Sequence, residues 1–120
     1  MDQPIPEVTE KDVIRIVQRD FPTKQFDAVM SNLNDYGTED WQRGVNRVRL
    51  AVLKLAGGDL QALRREIDVA KSDYRDVLAY AEYPKYMQKV SPSARLSEVE
   101  RERIIRADWM QYQYRNSQRS

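Results

Sequence analysis

The sequence predicts an all-α fold. Apolar residues recur at intervals of three and four along most of the chain, capping residues or glycines stand at the ends of these stretches, and no alternating strand pattern exceeds a few residues. A chain of 120 residues, 41% of them apolar, is long enough for one domain, and such a domain buries about two thirds of the surface of the unfolded chain. We therefore expect residues 1–120 to fold as a single small helical bundle.

Two short helices are predicted after an extended lead over residues 1–8. Thr9 has the features of the first N-cap, because Asp12 three residues on completes a capping box, and a Phe-Pro pair ends this helix. Thr23 can cap the second helix, which Gly37 ends. The apolar faces expected to be buried are Val13, Ile14, Val17 and Phe21 in the first helix and Phe26, Val29, Met30, Leu33 and Tyr36 in the second.

A long antiparallel helical hairpin over residues 39–82 is predicted to form the core. Thr38 can cap its first helix, and a Gly-Gly pair ends that helix. Asp59 can cap the second helix, which is expected to run to Glu82. Because only the glycines separate the two helices, they should pack side by side. The apolar stripes are Trp41, Val45, Val48, Val52 and Leu55, and then Leu60, Leu63, Ile67, Ala70, Tyr74, Val77, Leu78 and Ala81.

The four-helix body is expected to cover residues 9–83. A linker rich in Pro, Ser and Lys is predicted over residues 84–96. A separate C-terminal helix is predicted over residues 97–114, because Ser97 and a glutamate three residues on form a capping box. Residues 115–120 are predicted to fray.

The chain contains neither His nor Cys, which excludes several chemistries. Thiol and Ser-His nucleophiles, zinc ribbons, haem histidines and Glu-x-x-His di-iron sites all need one of these residues. Glu66 and Asp73 could pair as carboxylates, but they are about 10 Å apart along a helix, and salt bridges to bases of the third helix are their expected use. We therefore expect a non-enzymatic protein without a cofactor or metal, and an enzyme using carboxylates is the second alternative.

We expect a cytoplasmic protein that does not bind a membrane. The start of the sequence lacks the basic and apolar regions of a secretory signal. The longest apolar candidate for a membrane helix is interrupted by Arg47, Arg49 and Lys54.

Residues 53–84 resemble a segment of short, uncharacterised bacterial all-helical proteins. The similar stretches are LKLAGGDLQAL at 53–63 and DYRDVLAYAEYP at 73–84. The resemblance implies a bacterial source and brings no assigned activity, so it assigns no role to any residue.

The C-terminal helix carries apolar stripes on two opposite sides, although a helix on the surface of a monomer needs only one. One stripe consists of Leu96, Val99, Ala107, Met110 and Tyr114. The other consists of Ile105, Trp109 and Tyr112, and its central tryptophan is typical of an interface hot spot. We therefore predict a protein–protein interaction or adaptor module in which Ile105, Trp109 and Tyr112 contact a protein partner or form a homodimer. In the competing arrangement the helix folds back and buries Trp109 in its own chain.

A basic strip supports an alternative function, that of a nucleic-acid-binding accessory protein. Arg43, Arg47 and Lys54 share one side of the third helix, and residues 84–120 carry eight bases and four acids, a net charge of +4. Bases at helical spacing can contact phosphates, and exposed aromatic rings can stack on nucleobases. A predicted aromatic surface cluster that suits either kind of partner consists of Tyr80, Tyr83 and Tyr86. In the alternative arrangement, Tyr74, Tyr80 and Tyr83 close the end of the bundle with their hydroxyls at its surface.

Overall fold

The computed structural model describes residues 8–38, 44–89 and 97–118, and all the regular structure within them is helical. The predicted all-α bundle is confirmed for these residues. The helices are α1 (Glu10–Asp20), α2 (Phe26–Asn34), α3 (Val45–Ala56), α4 (Leu60–Glu82), α5 (Pro84–Lys89) and α6 (Glu98–Ser117).

The start of α1 confirms the predicted capping box. Thr9 Oγ1 accepts the backbone N–H of Asp12 (3.3 Å), and the Asp12 carboxylate accepts the backbone N–H of Thr9 (3.0 Å). On the inner face, Ile16 is fully buried, whereas the predicted Ile14 is only half-buried. The prediction for Thr23 was wrong, because this residue begins a single 3-10 turn that leads into α2.

The α3–α4 hairpin forms the centre of the core, and it begins later than predicted. Gly44 adopts a left-handed conformation (φ 56°) directly before Val45, and this conformation interrupts a right-handed helix. The predictions for Trp41 and Arg43 lie outside the described residues. Predicted core positions that are fully or almost fully buried are Val48, Val52, Leu63, Ile67, Ala70, Val77 and Ala81.

The conformation of the turn between α3 and α4 favours glycine at both positions of the pair, and space is also restricted at Gly58. Gly57 and Gly58 have positive φ angles of 58° and 83°, which side chains disfavour. A Cβ atom on Gly58 would lie 2.9 Å from the carbonyl oxygen of Asp20, at the end of α1. The turn therefore packs closely against α1, and only glycine fits there.

Helix α4 runs to Glu82 as predicted, but it is broken at Asp73. This residue has an extended backbone (φ −155°, ψ 98°), and its carboxylate accepts the backbone N–H of Arg75 (3.1 Å). Asp73 therefore acts as an internal N-cap for the second part of the helix. The sequence contains the signal, since Asp76 follows three residues after Asp73.

The predicted linker over residues 84–96 is partly wrong, because Pro84 begins the short helix α5. Proline is suited to a first helical position since its missing N–H would be unpaired there. Residues 90–96 lie outside the described part of the chain.

The start of α6 is confirmed, because Ser97 Oγ accepts the backbone N–H of Glu100 (3.1 Å). The helix continues to Ser117, three residues beyond the predicted end at residue 114.

Candidate functional site

The inner face of α6 is buried against its own chain. Trp109 and Tyr112 are almost fully buried, and Ile105 is half-buried. The Trp109 ring stacks on Tyr83 with 6.3 Å between ring centroids, and it lies 6.5 Å from the Tyr112 ring. The structure therefore has the competing arrangement, in which Trp109 is buried in its own chain, and the contact of Ile105, Trp109 and Tyr112 with a partner stays a prediction.

The C-terminal end of α6 is fixed by contacts with α1. Arg19 donates to the carbonyl oxygen of Arg115 (2.6 Å), and Arg15 donates to that of Asn116 (2.5 Å). Arg115 in turn forms an ion pair with Asp20 (3.2 Å). Cations near the last carbonyls complement the helix dipole and favour the continuation of the helix to Ser117.

Polar groups lie beneath α6, at the ends of α3 and α4. Arg47 donates to both carboxylate oxygens of Glu82 (2.9 and 2.7 Å), and Glu82 is fully buried. Lys54 donates to the carbonyl oxygen of Ala81 and lies 5.4 Å from the centroid of the Tyr112 ring. The hydrogen bond to Glu82 raises the pKa of Arg47, whereas burial lowers the pKa of Lys54.

These contacts correct the expected use of the basic strip. Arg47 and Lys54 are half-buried and bind groups of their own chain. Their partners are not the predicted acids: Glu66 is half-buried on α4, and Asp73 is bound to Arg75. The buried Glu82 was missed, because a glutamate at the end of an apolar stripe gives no sign of burial.

The Tyr112 hydroxyl is buried without a hydrogen bond of normal geometry among the described residues, although the Asn116 side chain lies beside it. Burial, and then the negative charge of Glu82, raise the pKa of Tyr112 well above its usual value of 10.0. A buried hydroxyl without a partner costs free energy. The Tyr112 hydroxyl therefore adds no stabilising hydrogen bond to the ring packing on the inner face of α6.

The three predicted surface tyrosines do not form one cluster. Tyr83 is directed inward onto Trp109. Tyr80 is exposed, and Tyr86 is half-buried with the guanidinium of Arg101 5.8 Å from its ring centroid.

The outer face of α6 is the exposed apolar surface of the helix. Val99, Met110 and Tyr114 expose 67%, 63% and 66% of their surface. They belong to the stripe that the sequence placed opposite Trp109. We call this surface the α6 outer face; it consists of Val99, Glu102, Arg103, Arg106, Ala107, Met110 and Tyr114.

A second exposed apolar surface lies on α4 beside the end of α3. Val69 and Tyr80 are exposed to 40% and 54%. They line a shallow groove together with two half-buried or buried apolar residues and two acids. We call it the α4 outer groove; it consists of Leu55, Glu66, Val69, Asp76, Val77 and Tyr80.

Among residues 8–38, 44–89 and 97–118, no group of three acidic side chains is placed to hold a metal ion. None of the helices formed by these residues is both long enough and apolar enough to cross a bilayer. Comparison of the chain with protein-family models, curated proteins and solved structures finds no match. The resemblance of residues 53–84 to bacterial proteins therefore stays a prediction.

Proposed function

We propose that the chain is a non-enzymatic protein–protein interaction module that binds its partner through the α6 outer face. The observation that carries the proposal is the exposure of Val99, Met110 and Tyr114 on a helix whose other side is already buried. Apolar side chains grouped on one exposed face are typical of interaction surfaces, whereas single ones are normal on any protein.

The packing of α6 favours this use because it makes the exposed face rigid. Trp109 is stacked on Tyr83 on the inner side, and Arg15 and Arg19 hold the carbonyls at the C-terminal end. A helix that is ordered before it binds loses less conformational entropy on association. The exposed side chains are therefore presented at fixed spacing to a partner.

A photo-crosslinking experiment tests the proposal. Benzoylphenylalanine in place of Tyr114 keeps an aromatic side chain on the α6 outer face. In cells of the source organism it should give a discrete protein adduct, and the additional change Met110→Glu should abolish that adduct. The matched control carries the probe at Gln61, which is exposed at the start of α4. Identical adducts from both positions would contradict the proposal.

Nucleic-acid binding has less support from the described residues. Arg47 and Lys54 are used in internal contacts, and the exposed bases of α6 alternate with acids such as Glu98 and Glu100. Binding to phosphates would weaken steeply as salt rises, whereas binding through an apolar helix face would not. Electrophoretic mobility of mixed-sequence DNA and RNA fragments at two salt concentrations distinguishes the two functions.

A further inference from the structure

Two surfaces account for all the large hydrophobic side chains that are well exposed in the described part of the chain. Val99, Met110 and Tyr114 lie on the α6 outer face, and Val69 and Tyr80 lie on the α4 outer groove. The rest of the described surface offers no comparable apolar group. Contact with a partner would lower the free energy at both surfaces, because the burial of apolar area is favourable.

The two surfaces carry opposite charge. The charged residues that line the cleft along the α6 outer face are Glu102, Arg103 and Arg106, a net charge of +1. The α4 outer groove is lined by Glu66 and Asp76, and no base is among the described residues that line it. The charged lining of the α6 outer face is thus net positive, and that of the α4 outer groove is negative.

The apolar residues of the α6 outer face lie along a regular helix. Val99 and Met110 are eleven residues apart, which corresponds to about 16 Å in a regular helix. Val69 and Tyr80 of the α4 outer groove lie on either side of the break at Asp73. A helix face that lies in a groove is a common mode of recognition between a helix and a folded domain.

We propose that the partner of the α6 outer face is the α4 outer groove of a second copy of this chain. The inference rests on the proposed function, since it names the partner of the same surface. Met110 and Val99 of one copy pack on Val69 and Tyr80 of the next, and the arginines of α6 face the acids of α4. The opposite charges orient the encounter and contribute less to affinity than the apolar contact.

The contact is heterologous, because it joins two different surfaces. Where the contact is made once between two copies, each copy still has one free surface, and association continues into a chain or a larger ring; where it is made reciprocally, two copies close as a two-fold dimer. In either arrangement, damage to one of the two surfaces removes association, and a mixture of the two damaged forms keeps one intact contact.

The test uses two variants that each damage one surface. Met110→Glu places a carboxylate on the α6 outer face, and Val69→Glu places one in the α4 outer groove. Sedimentation velocity of the wild type should show a mass that rises with concentration in the micromolar range. Each variant alone should remain monomeric. An equimolar mixture should form a complex of two chains and nothing larger, because Val69→Glu supplies an intact α6 outer face and Met110→Glu supplies an intact α4 outer groove.

Gln61→Glu is the matched control, because it adds a carboxylate at an exposed position of α4 outside both surfaces. It should assemble like the wild type, and circular dichroism melts should show that all three variants are folded. A wild type that is monomeric throughout, a Val69→Glu variant that still associates, or a mixture of monomers would each overturn the inference. If the Tyr114 probe still gives its specific adduct with another protein, the proposed function survives that failure.

Discussion

Arg47 and Glu82 form a two-point ion pair that joins the first turn of α3 to the last turn of α4. The guanidinium lies 2.9 and 2.7 Å from the two carboxylate oxygens, and Glu82 has no exposed surface. The pair lies among the polar groups covered by α6, close enough to Tyr112 for its charges to act on the hydroxyl. A residue that the sequence marked as a phosphate contact is thus a structural partner of a buried acid.

We expect Arg47→Met to lower the free energy of unfolding by about 3 kcal/mol, because it leaves the buried Glu82 carboxylate unpaired. Urea denaturation measures this change. The double variant Arg47→Met, Glu82→Leu should recover most of the loss, since apolar residues of similar size can replace a buried ion pair. A double variant no more stable than Arg47→Met would show that the unpaired Glu82 carboxylate does not cause the loss of stability.

Asp108 of α6 should stabilise the helical conformation of α5. Its carboxylate accepts the backbone N–H groups of Lys85 (3.3 Å) and Tyr86 (2.9 Å), which have no partner within a helix that begins at Pro84. Asp108→Ala should cost about 1 kcal/mol, as the loss of an N-cap does. Hydrogen exchange of the amides in residues 84–89 should become faster, and Asp108→Asn, which keeps one acceptor oxygen, should change it less. Unchanged exchange in Asp108→Ala would contradict this role.

The hairpin core should dominate stability. Val48 has no exposed surface and Ile67 is 2% exposed. Val48→Ala and Ile67→Ala should each lower the free energy of unfolding by about 1 to 4 kcal/mol. The control Arg64→Ala changes an exposed residue of α4 and should stay within about 0.5 kcal/mol of the wild type. Denaturant melts in which both core variants behave like this control would show that the core assignment is wrong.

Tyr112 should make the fold sensitive to high pH. Since its pKa is raised by folding, the unfolded chain releases this proton from pH 10.0 upward while the folded chain keeps it. The stabilisation is complete below pH 10.0 and is lost as the pH rises from there toward the folded pKa. Between about pH 8 and about pH 11, the wild type should lose about 1 kcal/mol more than Tyr112→Phe.

Tyr112→Phe keeps the ring beneath Lys54, so the opposite effect of the lowered Lys54 pKa is present in both proteins. At neutral pH the variant should be at least as stable as the wild type, because it removes a buried hydroxyl that lacks a good hydrogen bond. If the free energy of unfolding changed with pH in the same way in both proteins, Tyr112 would not be the source of the sensitivity to high pH.

Local signals determined most of the helix boundaries. Capping residues and the glycine pair act on backbone groups within a few residues, so the sequence was enough to predict the helix ends that they set. The capping residues are Thr9, Asp59 and Ser97. The break at Asp73 also had a local capping signal, but the unbroken apolar stripe of α4 predicted a continuous helix.

The sequence also determined that α6 has two apolar sides, but only the tertiary structure decided which side is buried. Helical periodicity is the same for both stripes, and it contains no information on neighbours distant in the chain. Trp109 is inside because Tyr83 supplies a stacking partner and because Arg15 and Arg19 fix the C-terminal end of the helix from α1. The same long-range packing places Glu82 beside Arg47, gives Lys54 a partner in its own chain, and leaves Val99, Met110 and Tyr114 exposed.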